Sequence, residues 1–224
     1  MTGIARNALA EFVGTFIFVF AIIGAVNSAS ALTPLAIGFA LMVMVFATGH
    51  ISGAHLNPAV SLGAWLRGAI SAVTFAAYVV AQLVAGALAA LLTGRRLSGI
   101  RSFVLWPAAA KPVAIEVGPA FLVEALWTFV LVYVVLNVAT SKANVNNSFY
   151  GLAIGSTVFV GAVAVGGISG GGFNPAVALG LSITGIFDIG AYWLYLLAPL
   201  VGGAVAALVF RALNSDDRLP ALEG

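Results

Sequence analysis

Residues 49–63 read GHISGAHLNPAVSLG, and residues 166–180 read GGISGGGFNPAVALG. The strings agree in register, with Asn57-Pro58-Ala59 and Asn174-Pro175-Ala176 standing 117 residues apart. Each interrupts a long apolar stretch. A Gly- and Pro-broken segment at corresponding places in two halves of a membrane protein points to a midplane site where solute passes.

Composition supports the membrane premise. Charged residues are 7% and hydrophobic residues 62% of 224, whereas soluble domains carry about 25% charge. The expected partner is therefore the lipid bilayer, and a formal charge of +2 gives no case for nucleic acid. The chain has no cysteine, which excludes disulfides and thiolate metal sites. The opening MTGIARNALAEF shows no small-residue cleavage site, so the first segment is read as a retained span.

Crossing the hydrocarbon takes about 20 apolar residues. Six stretches qualify: 8–29, 33–50, 69–93, 119–140, 148–166 and 187–210. Two more, 57–66 and 174–183, are half that length and predict half-helices that enter from opposite faces. The repeat extends beyond the boxes: Leu35-Ala36-Ile37-Gly38 recurs as Leu152-Ala153-Ile154-Gly155, and Glu11-Phe12-Val13-Gly14-Thr15-Phe16 is answered by Glu124-Ala125-Leu126-Trp127-Thr128-Phe129. Three spans per half force the second half to insert upside down. The predicted fold is all-α, one channel domain over 1–224, with inverted repeats of about 1–110 and 111–224. With both termini inside, Arg6, Arg67, Lys142, Arg211 and Arg218 face Arg95, Arg96, Arg101 and Lys111 outside, a weak positive-inside bias. The 94–118 loop is expected to fold over the outer face.

Asn is a favoured helix N-cap and Pro a favoured first helical residue. Asn57 and Asn174 should therefore each cap a half-helix, and the two N-termini should meet near the midplane. Each carries roughly half a positive charge, which repels cations without an ionised side chain. The preceding loops cannot be helical, and irregular backbone at that depth is tolerated where it lines a cavity or is buried. Carbonyls of Gly53, Ala54, His55 and Leu56, and of Gly170, Gly171, Gly172 and Phe173, would form an acceptor strip. Glu11 and Glu124 are the acids well inside apolar spans. Their symmetric placement favours holding loop N–H groups over relaying protons. His55 is expected to hold its loop and His50 to lie at the inner mouth. No metal constellation or catalytic triad is present in the sequence pattern, so neither a cofactor nor an enzyme activity is expected. Asp188 reads as a helix cap, Tyr192, Trp193 and Tyr195 as an interfacial belt, and Gly151-to-Gly155 as a close helix contact.

With both SGxxxNPAV boxes, AEFVGTF, VEALWTF, six spans and two half-helices, the chain resembles the aquaporin and aquaglyceroporin (major intrinsic protein) family over nearly its whole length. The resemblance implies a right-handed bundle in a homotetramer, one pore per subunit, in the cell membrane. It also implies a selectivity filter, whose four positions fall here on Ile37, Ala162, Gly171 and Val177. Most members carry Arg at the last. Without it, the filter is expected to be wide and apolar, passing uncharged solutes such as glycerol, urea, hydrogen peroxide and undissociated arsenite or antimonite. Two alternatives stand beside this: a mainly water-conducting channel, if Phe39, Phe173 or the 94–118 loop refills the space, and a proton-coupled carrier using Glu11, Glu124 or His50.

Overall fold

Asn57 and Asn174 both mark a change from extended backbone to helix. Their φ,ψ angles are −160°, 122° and −154°, 113°. Each side chain caps the helix it starts: Asn57 accepts from Ala59 N, and Asn174 from Ala176 N and Val177 N. Such caps are worth about 1 kcal/mol each. In the computed structural model, which describes residues 3–93 and 114–217, the resulting half-helices are Pro58–Arg67 (α3) and Pro175–Ile183 (α7). Ten residues rise about 15 Å, half of a bilayer core.

The remaining helices are α1 Gly3–Asn27, α2 Thr33–Ser52, α4 Ala72–Thr93, α5 Val117–Val135, α6 Tyr150–Ser169 and α8 Tyr192–Leu213. α5 runs on through a π turn, Leu136–Thr140, and a 3₁₀ turn, Ile189–Ala191, leads into α8. With these extensions, six helices among the described residues are long and apolar enough to cross a membrane. The protein is an integral membrane bundle. Boundaries move from the predicted ones where capping intervenes: α4 starts at Ala72 because Gly68 to Ser71 form a turn, with Gly68 left-handed at φ 84°. Asp188 does cap, accepting from Gly190 N at 2.9 Å. The expected cover over the outer face falls mostly on residues 94–113, outside the described residues. Val117 and Gly118, counted in that loop from sequence, belong to α5.

Packing repeats between the halves. α1 lies on α2 and α4, as α5 lies on α6 and α8. α2 crosses α6; a Cβ at Gly155 would run into the Gly38 carbonyl, so the expected close contact at Gly155 is between these two helices. Each half-helix rests on the last span of the other half, α3 on α8 and α7 on α4. Gly203 and Gly86 permit this approach: a Cβ at Gly203 would sit 2.6 Å from Ala59 O, and one at Gly86 would overlap Ala176 O. Overpacking of that kind costs about 1–3 kcal/mol and would displace the first turn of a half-helix. Apolar residues such as Leu122, Val163 and Leu208 are exposed on the outside of the bundle, as expected of a protein whose surroundings are apolar.

Tyr195 departs from its expected place. It is buried, stacks on Phe187 at 4.5 Å, and its hydroxyl donates to Ser169 O. Trp193 is exposed, as a belt residue would be. The reason is helical phase: Tyr195 lies on the face of α8 that includes the buried Ala198, Pro199 and Gly202.

Candidate functional site

Two buried carboxylates hold the two loops. Glu11 Oε1 accepts from Ser52 Oγ (2.6 Å) and His55 N (2.9 Å), and its Oε2 accepts from Leu56 N (2.7 Å) and Gln82 Nε2 (2.8 Å). Glu124 Oε1 accepts from Ser169 Oγ (2.6 Å) and Gly172 N (2.8 Å), and its Oε2 from Phe173 N (2.6 Å). Both side chains are 0% exposed, so neither faces a solute path as a relay group would. Hydrogen bonds to charged groups contribute about 1.5–3 kcal/mol each. That offsets the strain of left-handed backbone at Ala54, Leu56 and Phe173 (φ 48°, 51° and 49°), where a side chain costs roughly 1–2 kcal/mol. Glycine takes the same region at Gly53, Gly170 and Gly171.

The two loops are cross-linked to each other. Asn57 Nδ2 donates to Phe173 O at 2.9 Å, and Asn174 Nδ2 donates to Leu56 O at 2.8 Å. Each Asn thus caps its own half-helix and ties the opposite loop. The N-termini of α3 and α7 meet there.

A cavity of about 180 Å³ runs along this junction. Asn57, Asn174, Ala54, His55 and residues 170–173 line it, as do all four positions Ile37, Ala162, Gly171 and Val177. The rest of the wall is apolar, including Phe18, Ile22, Leu41, Val60, Leu131, Val158, Leu181, Ile186 and Phe187. No Lys, Arg, Asp or Glu is among the described lining residues. Several sequence candidates lie off the wall. Gly53 is exposed, and His50 is exposed at the end of α2. Leu56 is buried with its side chain against Gly14, because its left-handed turn aims it into the bundle, and its carbonyl is taken by Asn174. Pro58, Ala59, Pro175 and Ala176 are buried behind the junction. Phe39 is 49% exposed and away from the cavity, so it cannot refill the vacated space. Phe173 does line it.

Residues that sequence reasoning passed over complete the support. Gln82 Nε2 also donates to Ser61 Oγ at 2.9 Å, and Ser61 Oγ lies 3.1 Å from His55 Nδ1. Tyr78 donates to Ser52 O at 2.7 Å, as Tyr195 does to Ser169 O. The signal for both tyrosines was present: they stand 117 residues apart, like the boxes. Among the described residues no cluster of His, Cys, Asp and Glu could hold a metal ion.

At the far end of α3, Arg67 Nη2 binds Asp217 Oδ1 at 2.9 Å, and the guanidinium lies 4.7 Å from the centre of the Phe210 ring. Desolvation opposes ionisation of Asp217, but hydrogen bonds from Ser141, Lys142 N and Arg67, together with the Arg67 charge, hold its carboxyl below the ordinary value.

A family model described as "Major intrinsic protein" matches residues 2–210. The chain is 36% identical over 217 residues to "Glycerol uptake facilitator protein-like 6" of Lactiplantibacillus plantarum, covering 95% of this chain and 100% of the relative. It is 32% identical over 221 residues to "Probable aquaporin NIP7-1" of Arabidopsis thaliana, covering 95% and 78%. Among solved structures it superposes on the aquaglyceroporin from Plasmodium falciparum with a TM-score of 0.77 and 25% identity, covering 92% of this chain and 95% of that one. An FNT family ion channel aligns with a TM-score of 0.59 at 16% identity, covering 97% and 90%, a likeness of fold alone.

Proposed function

The chain belongs to the major intrinsic protein family, whose members are channels and not enzymes, and from that premise we propose that the cavity is a pore for small uncharged solutes of glycerol and urea size as well as water. The single observation that carries the solute class is Val177, buried on the cavity wall three residues past Asn174. With Ile37, Ala162 and Gly171 it makes a constriction that has neither a fixed cation nor a side-chain donor. Acceptors are the carbonyls of Gly170 to Gly172 and of Ala54 and His55. The donors are the second N–H groups of the Asn57 and Asn174 amides, the first of each being committed across the junction. A hydroxyl- or amide-bearing solute would slide its apolar side along the valines and isoleucines and exchange hydrogen bonds along the carbonyl strip. Hydrogen peroxide and undissociated arsenite or antimonite share with such solutes their small size, lack of charge and hydroxyl groups. The names of the glycerol facilitator and the aquaglyceroporin agree with this class.

Ions are excluded at the midplane on this reading. Two helix N-termini, each about half a positive charge, oppose a cation in a narrow, apolar passage. The free N–H groups of Asn57 and Asn174 donate to the oxygen of a passing water, so that its acceptor sites are occupied and no proton wire runs through. We further place the protein as a homotetramer in the cell membrane with both termini inside, so that Arg67, Lys142 and Arg211 face the cytoplasm.

A second reading, a mainly water-conducting pore, draws on Phe173. Its ring atoms lie 3.4 Å from where a side chain at Gly171 would begin.

Stopped-flow light scattering on proteoliposomes tests the proposal. Water, glycerol and urea gradients should each relax faster than in protein-free vesicles, without saturation and without response to a pH gradient. Saturable flux driven by a pH gradient would sink the channel reading and favour a carrier. Asn57→Asp with Asn174→Asp should raise cation and proton leak; an unchanged leak would remove the midplane mechanism.

A further inference from the structure

The constriction residue Gly171 has no side chain, yet the space beside it is filled from its own loop. Phe173 turns left-handed at φ 49°, which brings its ring back against Gly171: Cε2 and Cζ lie 3.4 Å from an ideal Cβ there. Phe173 is 2% exposed and lines the cavity. Behind it stands Trp127, with ring centroids 6.3 Å apart. Trp127 is fixed on two further sides. Its Nε1 donates to Thr157 O at 2.9 Å, and its indole occupies the notch left by Gly161, where any Cβ would overlap it. Glu124, three residues earlier on the same helix, holds Phe173 N. One face of α5 therefore grips Phe173 by both its backbone and its ring.

We propose that Phe173, backed by Trp127, sets the width of the pore beside Gly171 and is the specificity-determining side chain there, with Trp127 as its positioning residue. This rests on the channel reading and deepens it: the solute class is bounded by a held aromatic wall, not by the four constriction positions alone. Trp127 has no counterpart in the first half, where Gly14 occupies the corresponding place beside Leu56.

The test is a size ladder of water, glycerol and a five-carbon polyol in proteoliposomes. Phe173→Leu and Trp127→Leu should each raise the pentitol-to-water permeability ratio about tenfold, the lower end of what one methylene is worth in a fitted pocket. Gly161→Ala should push the indole toward Phe173 and lower the glycerol-to-water ratio. The ratio is the informative readout, because fewer folded channels lower all fluxes alike. Unmoved ratios with wild-type flux intact would overturn this assignment alone. The same is true if Trp127→Leu and Gly161→Ala shift selectivity in one direction. Absence of wild-type flux for both water and glycerol would overturn it together with the channel reading. If Gly161→Ala fails to fold, the two leucine variants decide the question.

Discussion

The loop before α3 and the loop before α7 share a skeleton and differ in what surrounds it. Ser52 and Ser169, Tyr78 and Tyr195, Glu11 and Glu124, and the two Asn residues make equivalent hydrogen bonds. Elsewhere the repeat positions diverge: His55 against Gly172, Ser61 against Ala178, Gln82 against Pro199, Leu56 against Phe173, and Gly14 against Trp127. The first half therefore wraps its loop in a polar network, and the second in aromatic rings. The difference teaches which features the midplane geometry requires of both halves and which are free to tune transport. Caps, carboxylates and cross-links are common to both. Polarity and width belong to one half each, and on the proposed reading selection occurs in the second.

Removing each carboxylate's charge should break the symmetry most visibly. Glu124→Gln leaves Gly172 N, Phe173 N and a left-handed Phe173 without a charged acceptor. At about 1.5–3 kcal/mol per lost bond, a loss of several kcal/mol in thermal stability is expected. Glu11→Gln should cost less, because the buried Gln82 Oε1 has no hydrogen-bond partner and can receive the new amide. Unfolding curves in detergent check the order; equal losses would mean the Gln82 network contributes nothing.

Gln82→Leu comes next. It strips a donor from both Glu11 and Ser61, and about 1–3 kcal/mol is expected for leaving buried polar groups unpaired. Its counterpart in the second half is already Pro199, so the penalty should fall on the first loop alone. Hydrogen exchange at Leu56 and His55, faster while Phe173 and Gly172 stay protected, is the expected signature. Equal deprotection of both loops would show that the network serves the whole bundle.

The smallest effect concerns the far end of α3. The carboxyl of Asp217 sits below its ordinary value when folded, so its pairing with Arg67 stabilises above the unfolded pKa. That stabilisation is lost as pH falls through the folded value, in the acid range below ordinary carboxylates. Asp217→Asn should flatten that part of the stability–pH curve. Partly exposed ion pairs contribute about 1 kcal/mol or less. An unchanged acid limb would remove the pair from the account.

Much of this was legible in the sequence because the repeat carries its own control: two copies of one box, in phase with six apolar runs, leave few folds. The four positions proposed as the constriction line the cavity because their spacing from Asn57 and Asn174 is set by rigid helices and short loops. What remained hidden depends on backbone sign and helical phase. Nothing local predicts φ > 0 at Leu56, which turns its side chain off the cavity, or at Phe173, which returns its ring to Gly171; distant carboxylates impose both. Tyr195 reads as a belt residue from composition and is buried by phase. Gln82 and Trp127 are unremarkable letters in apolar runs until α4 and α5 are packed against the loops.

The claim that the second half sets selectivity is tested most directly by Val177→Arg in proteoliposomes, with water and glycerol fluxes measured on the same vesicles. A guanidinium on the cavity wall should narrow the constriction and lower glycerol permeability by a larger factor than water permeability. An equal loss of both, or a greater loss of water, would contradict the account.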